Sequence, residues 1–281
     1  NLSRKKAQYH SPSKGGFKKK SLTNLYGLKA WFAFSFCFLV FFISFLFPVS
    51  QMLYWTIIFP KHLVDLNLVE LFSNTIILVL LSSIVLIGFA FISNYGNRLS
   101  RSKFLEILTT FSISGYAIPG IILAVAFITF ISWLDSSIIN LFEIKNVKSI
   151  FIGSILGLIV VYFIRFFSLA SNGIKSGYLK INYSIDESAY LLGYSKFKTF
   201  KDIHIPYLKN TIMLIGILIA IEIIKELPIT LIMRPFNFET FATQAYIYAS
   251  QDLLEAAAAP SLFLILIASF FILITSRYIL K

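Results

Sequence analysis

The chain is short of charge and nearly empty of cysteine. Asp, Glu, Lys and Arg make up 14% of its 281 residues, where a soluble domain carries about a quarter. That shortage excludes an ordinary soluble domain. The single cysteine, Cys37, permits no internal disulfide and no Cys-x-x-Cys metal site. It sits inside an apolar run and reads as a small packing or lipid-facing residue. The histidines His10, His62 and His204 are scattered and read as ordinary loop residues, with no His-Glu-x-x-His zinc pattern among them. There is also no Gly-x-x-x-x-Gly-Lys-Ser/Thr loop to cradle phosphates. The chain therefore offers no catalytic set, no metal site and no cofactor motif.

What is present is apolar length. Hydrophobic residues make up 57% of the chain and the mean hydropathy is +0.80. A bilayer core about 30 Å thick takes roughly 20 apolar residues per helix. Runs of that size predict six spans, at about 30–55, 71–92, 107–134, 149–170, 210–230 and 256–276. The fold class is an all-α integral membrane protein. Pro48 is expected to kink or end the first span. Ile118-Pro119-Gly120 is expected to bend the third. The charge-free stretch of the fourth stops at Ile164, and a snorkelling Arg165 would let it run on to Ala170. Gly153-x-x-x-Gly157 would allow close helix packing in that span, and Ala256–Ala259 would pack tightly at the start of the sixth. Phenylalanine dominates the 17% aromatic content and reads as lipid-facing.

The net charge of +12 would point to nucleic acid in a soluble protein. Here no basic-aromatic binding module accompanies it, and the bilayer supplies the partner. With six spans and the N-terminus inside, 20 of the 25 Lys and Arg fall on the inner side, against 4 of the 13 Asp and Glu. The positive-inside rule thus puts both termini in the cytoplasm. Residues 1–29 read as a basic, flexible cytoplasmic tail, and 30–281 as the membrane domain.

One inner loop, about 174–206, is more ordered in pattern than the others. Ser184 with Glu187 three residues later is a capping-box pattern. Ile185, Ala189 and Leu192 follow at helical spacing. Gly193 can take positive φ and stop that helix. Ser195 can cap a second short helix carrying Phe197 and Phe200, which Pro206 would end. A helix, a glycine turn and a helix result, with one apolar face and basic flanks. The residues leave two uses open: docking into a partner's groove, or lying on the membrane surface.

This stretch resembles the EAA loop of binding-protein-dependent ABC importer permeases. That pattern is Glu-Ala-Ala, three residues, Gly, nine residues, Ile, one residue, Leu-Pro. The chain has Glu187-Ser188-Ala189, Gly193, Ile203 and Ile205-Pro206 at those spacings, departing at Ser188 and Ile205. Gly115-Tyr-Ala-Ile-Pro119-Gly120 resembles ferric-iron and thiamine permeases. Lys225-Glu226-Leu-Pro228-Ile-Thr230-Leu-Ile-Met-Arg234-Pro235 and Phe238-Glu-Thr240-Phe-Ala242-Thr resemble the iron group more closely.

The resemblance implies a type I ABC importer permease fold in the bacterial inner membrane. It implies docking of an ATP-binding subunit through Glu187, Ser188, Ala189, Leu192, Gly193, Ile203 and Pro206. It also implies a periplasmic binding protein that delivers ferric iron, and a second six-helix half. The chain looks like the C-terminal half of a duplicated permease, with residues 1–29 as the linker. Related permeases for thiamine, polyamines or another small solute are the nearest alternatives, and a non-transport membrane anchor is the distant one. Charges within a span are functional candidates by default. Glu222, Lys225 and Glu226 are the candidate translocation path, the two glutamates sharing a helix face four residues apart and Lys225 offsetting Glu222. An internal ion pair at the outer boundary is the competing reading, with Pro228 ending the helix.

Overall fold

Why the chain folds as it does follows from its apolar runs, each long enough to close its own backbone hydrogen bonds inside a bilayer. The computed structural model describes residues 25–64, 66–100, 103–143 and 149–279. The expected tail at 1–29 lies largely outside these. Six helices are long and apolar enough to span: α1 (Leu28–Ile58), α3 (Leu68–Ser100), α5 (Gly120–Leu141), α6 (Ile155–Tyr178), α8 (Lys196–Ile224) and α11 (Leu254–Ile279). Between them lie α2 (Pro60–Val64), α4 (Lys103–Ile113), α7 (Tyr183–Leu191), α9 (Pro228–Met233) and α10 (Phe241–Ser250). No strand occurs among the described residues.

Contacts divide the chain after Pro48 into two units. The described part of the first is helix with its aromatic side chains outward. Phe34 stacks on Phe38 and Phe41 on Phe45, with ring centroids 6.0 and 5.5 Å apart. Pro48 does not end α1. A π turn at Phe42–Leu46 precedes it, and helix resumes from Phe47 to Ile58. The i→i+5 bonding of such a turn shifts the ladder just where proline withholds its N–H.

The second unit has its core where α3, α6 and α8 meet. Leu78, Leu86, Leu158, Tyr162, Phe166, Ile174, Leu208 and Ile219 are almost wholly enclosed there. Lipid is as apolar as leucine, so close packing rather than water exclusion holds such helices together. Gly173 and Gly177 permit the closest approach of α6 to α8. A Cβ on Gly173 would lie 2.6 Å from Ile215 Cγ1, and one on Gly177 2.8 Å from Leu208 Cδ2. The expected pair Gly153 and Gly157 does not serve that purpose. Gly153 lies in the turn before α6, whose N-cap is Ser154, and a Cβ on Gly157 would meet the Phe151 carbonyl of that same turn. Ala256–Ala259 are buried as expected.

The span limits differ from the sequence reading in three places. The third expected span is two helices, α4 and α5, separated by a 3₁₀ turn at Ser114–Ala117 and by extended Ile118 and Pro119. The expected loop at Asp135 is still helix. Asp135 is 2% exposed on α5 and accepts hydrogen bonds from the backbone N–H of Ile150, Phe151 and Ile152 at 3.1–3.2 Å. A buried carboxylate needs such donors, and these order the turn before α6. The fourth span starts at Ile155 rather than Ser149 and continues through Arg165 to Tyr178.

Candidate functional site

Two polar assemblies stand out in a chain with little charge. The first lies where α7 crosses the ends of α3, α6 and α8. The cap of α7 is Asn182, whose side chain accepts the Ser184 N–H. Ser184 itself is inside the helix, so the expected Ser184–Glu187 box is not the cap. Asn182 has the same chemistry and comes first along the chain. The other end forms as expected. Gly193 has φ +80°, the Tyr194 N–H donates to the Ala189 carbonyl at 3.0 Å and the Gly193 N–H to the Tyr190 carbonyl at 3.0 Å. These are the two bonds of a Schellman stop. Ser195 caps the next helix by accepting the Lys198 N–H.

That next helix does not end at Pro206. It passes through a π turn at Phe200–His204 and continues as the membrane part of α8. The Ile205 N–H reaches back to the Phe200 carbonyl, and the shifted register accommodates proline's missing donor. Pro206 therefore lies at the start of a span rather than in the loop.

The outer surface of this assembly is apolar and open. Leu191, Leu192 and Phe197 are 89%, 79% and 72% exposed. Beside them lies a shallow groove of about 360 Å³ lined by Ser184, Ile185, Ser188, Ala189, Leu192 and Ile203, among others. Four of the seven predicted docking residues thus converge: Ser188, Ala189, Leu192 and Ile203. Glu187 and Gly193 are exposed on the same short stretch. The expected single face divides, since Ile185 and Ala189 turn toward the core while Leu192 forms the outer rim.

Beneath the groove is a buried ion network that the sequence reading did not foresee. Arg98, near the end of α3, donates from Nε to Asp186 Oδ2 at 2.6 Å. It also donates to the carbonyls of Ile181 and Asn182, each at 3.1 Å. Its guanidinium lies 4.3 Å from the centre of the Tyr183 ring. Asp186 Oδ1 is 2.8 Å from His204 Nε2. His204 is wholly buried between the rings of Tyr95 and Tyr178, so the reading of it as an ordinary loop residue is corrected. Tyr95 donates to the Lys196 carbonyl at 2.6 Å. The available signal was an arginine at the end of an apolar helix, but nothing local pairs residue 98 with residue 186. His62 remains on the short α2, and His10 lies outside the described residues.

The second assembly lies along the middle of α6. Arg165 donates from Nη1 to the carbonyl of Ile118, and its Nε is 3.6 Å from Glu226 Oε2. The backbone carbonyl of Glu226 accepts Thr230 Oγ1 at 2.6 Å, and Thr230 is hydrogen-bonded to the buried Tyr162 hydroxyl. The glutamate pairing expected from sequence does not form. Helix α8 stops at Ile224, so Glu222 and Glu226 are not on one continuous helix. Pro228 opens α9 instead of ending α8. Lys225 does offset Glu222, at 2.7 Å across a partly exposed pair. Among the described residues no three His, Cys, Asp or Glu side chains cluster as metal ligands.

No protein-family model matches the chain. It is 20% identical over 280 residues to the Fe(3+)-transport system permease protein FbpB 2 of Haemophilus influenzae, which covers 99% of this chain and 53% of that protein. The chain thus spans about half the length of this curated relative. Among solved structures it superposes on a chain of a bacterial ABC transporter involved in the import of the acidic polysaccharide alginate, with a TM-score of 0.67, 18% identity, and coverage of 88% of this chain and 94% of that one. It also superposes on a chain of the bacterial alginate ABC transporter in complex with alginate pentasaccharide-bound periplasmic protein, with a TM-score of 0.69, 16% identity, and coverage of 88% and 93%. With six helices long and apolar enough to span a membrane, this multi-pass chain has the fold of these ABC importer chains.

Proposed function

We propose that the chain is a permease subunit of an ATP-driven importer of the bacterial cytoplasmic membrane, and that it moves ferric iron from a periplasmic binding protein to the cytoplasm. The observation that carries the transport reading is the open apolar groove at Ser188, Ala189, Leu192 and Ile203 on a loop anchored to α3 and α8. An isolated amphipathic helix on a membrane needs no such anchor, whereas a lever that receives force does. In this reading a cytoplasmic ATP-binding subunit seats on the groove, with Glu187 and Gly193 at its edge. Closure of two such subunits shifts the equilibrium between two states of the bundle, because they contact the states differently. A second six-helix half completes the route, and both termini face the cytoplasm. The EAA-like spacing of the loop supports this. Iron rests on the ferric relative.

The route is proposed to pass Glu226, with Glu222 and Lys225 at its solvent edge. Two measurements test these claims together. Gly193→Asp should abolish recovery of the ATP-binding subunit from membranes in which the chain is still inserted. Radioactive ferric citrate should accumulate in cells that carry the whole system, and excess alginate oligosaccharide should not compete. Equal recovery by wild type and Gly193→Asp would sink the docking surface. Competition by alginate oligosaccharide would replace iron with an acidic sugar as the solute.

A further inference from the structure

We infer that Arg165 and Glu226 form the closed latch of the translocation route, set where two interrupted helices meet. This rests on the permease reading above and adds to it a barrier and a residue, Arg165, with no role so far.

The first argument is position. Arg165 lies about 15 Å along α6 from its first residue and about 20 Å from its last, so the pair sits at mid-span. A charge at that depth is costly and rare, and as a rule faces a bundle interior or a wet cavity. The second is backbone. The α4–α5 break frees the carbonyl of Ile118, whose ψ of 130° takes it out of helical bonding. The α8–α9 break lies at 225–227, next to Glu226. Broken helices are tolerated at membrane depth where they are buried in protein or line a cavity, and paired breaks point to the solute path in transporters. Here both breaks attach to one side chain. Arg165 takes the Ile118 carbonyl with Nη1 and faces Glu226 with Nε.

The third argument is that the pair is loose. Its Nε–Oε2 distance is 3.6 Å, its side chains are 20% and 10% exposed, and Arg165 Nε has no hydrogen-bond partner among the described residues. A permanent structural tie would be expected to saturate these groups. Gly120 makes room for the carboxylate, since a Cβ there would lie 2.7 Å from Glu226 Oε1 and 3.5 Å from Arg165 Cζ. The elements around the pair bring Tyr116, Tyr162, Glu222, Lys225 and Thr230, and the charged ones among these are more exposed than Glu226.

The test does not need the solute. Cys37 is the sole cysteine, so a Cys37→Ser background gives a thiol-free chain. Ile118→Cys then reports water at the latch by reaction with a charged, membrane-impermeant maleimide, in membranes that hold the whole importer. The wild-type pair should keep this thiol slow to react. Arg165→Gln and Glu226→Gln should each speed labelling by about tenfold, a shift that needs only a modest change in population. Gly120→Ala keeps both charges but presses on the carboxylate, and should give a smaller rise. Arg165→Lys keeps a charge and a donor for the Ile118 carbonyl, and should stay closer to wild type than Arg165→Gln. Unchanged labelling in Arg165→Gln, Glu226→Gln and Gly120→Ala would overturn the latch, as would Arg165→Lys labelling as fast as Arg165→Gln. ATP-binding subunit recovery from the same membranes separates the two claims. Its loss in wild type would refute the permease reading, while the labelling ranking alone decides the latch.

Discussion

Two of the ion pairs among the described residues, Arg98–Asp186 and Arg165–Glu226, are built to different standards. Arg98 and Asp186 are almost fully enclosed, at 6% and 10% side-chain exposure, and they meet at 2.6 Å. Their remaining groups are taken up by two carbonyls, a tyrosine ring and His204. Arg165 is more open, at 20%, while Glu226 is as enclosed as Asp186, and the two stand 3.6 Å apart. The Arg98–Asp186 pair resists change, because removing either partner strands a buried charge, even though the Nδ1 of His204 beside it has no partner among the described residues. A loosely met pair can part and re-form at little cost. The contrast assigns the loop-end network to holding parts together and the mid-span pair to letting them separate.

Four substitutions would break or sharpen this contrast. The largest effect is expected for Asp186→Ala, which leaves Arg98 buried without its carboxylate. Loss of about 3–5 kcal/mol is expected, read as a lower unfolding temperature in detergent together with faster proteolysis between α7 and α8. Gly193→Ala should come next, at about 1–2 kcal/mol, since its φ of +80° places a side chain in the left-handed region. Weaker capture of the ATP-binding subunit should accompany it. Glu226→Gln should cost only on the order of 1 kcal/mol of stability, as polar contacts inside membrane bundles do on average, while changing water access at the latch. If it destabilised the chain as much as Asp186→Ala, the two pairs would be alike and the contrast would fail. The smallest effect is expected for Glu222→Gln. Its lysine partner is 55% exposed, so stability should move by less than about 0.5 kcal/mol. A larger change, measured by thermal unfolding, would bring Glu222 into the interior network.

Much of this architecture could be read from the residues. Six apolar runs gave six spans because length and lack of charge are local properties. Gly193 was legible because one glycine between two helical patterns has few other uses, and the Ala256–Ala259 packing because small residues in a row leave little else to do. The misses share one cause. Arg98, Asp186 and His204 are far apart in sequence, and a charge at a helix end looks the same whether it meets solvent or a buried carboxylate. Asp135 looked like a loop residue because its three donors lie beyond the following turn. Gly173 and Gly177 were passed over in favour of Gly153 and Gly157, which have the same spacing; only the packing of α6 against α8 tells them apart. Pro206 and Pro228 were both read as stops. One follows a π turn that absorbs it and the other opens a helix, outcomes that depend on hydrogen-bond register rather than on proline itself.

The run of α8 through Pro206 has a mechanical consequence. From Lys196 to Ile224 it is one unbroken rod, about 43 Å long. His204, pinned by Asp186, divides it into a short arm of about 12 Å toward Lys196 and a long arm of about 30 Å toward Ile224. Such a rod is a crank with its pivot off centre. With the rod rigid about that point, a displacement of about 1 Å at Lys196 carries the far end, where α8 stops beside Glu226, through roughly 2.5 Å. That travel is comparable with a hydrogen-bond length, so a small push at the loop is geared to the scale on which an ion pair opens.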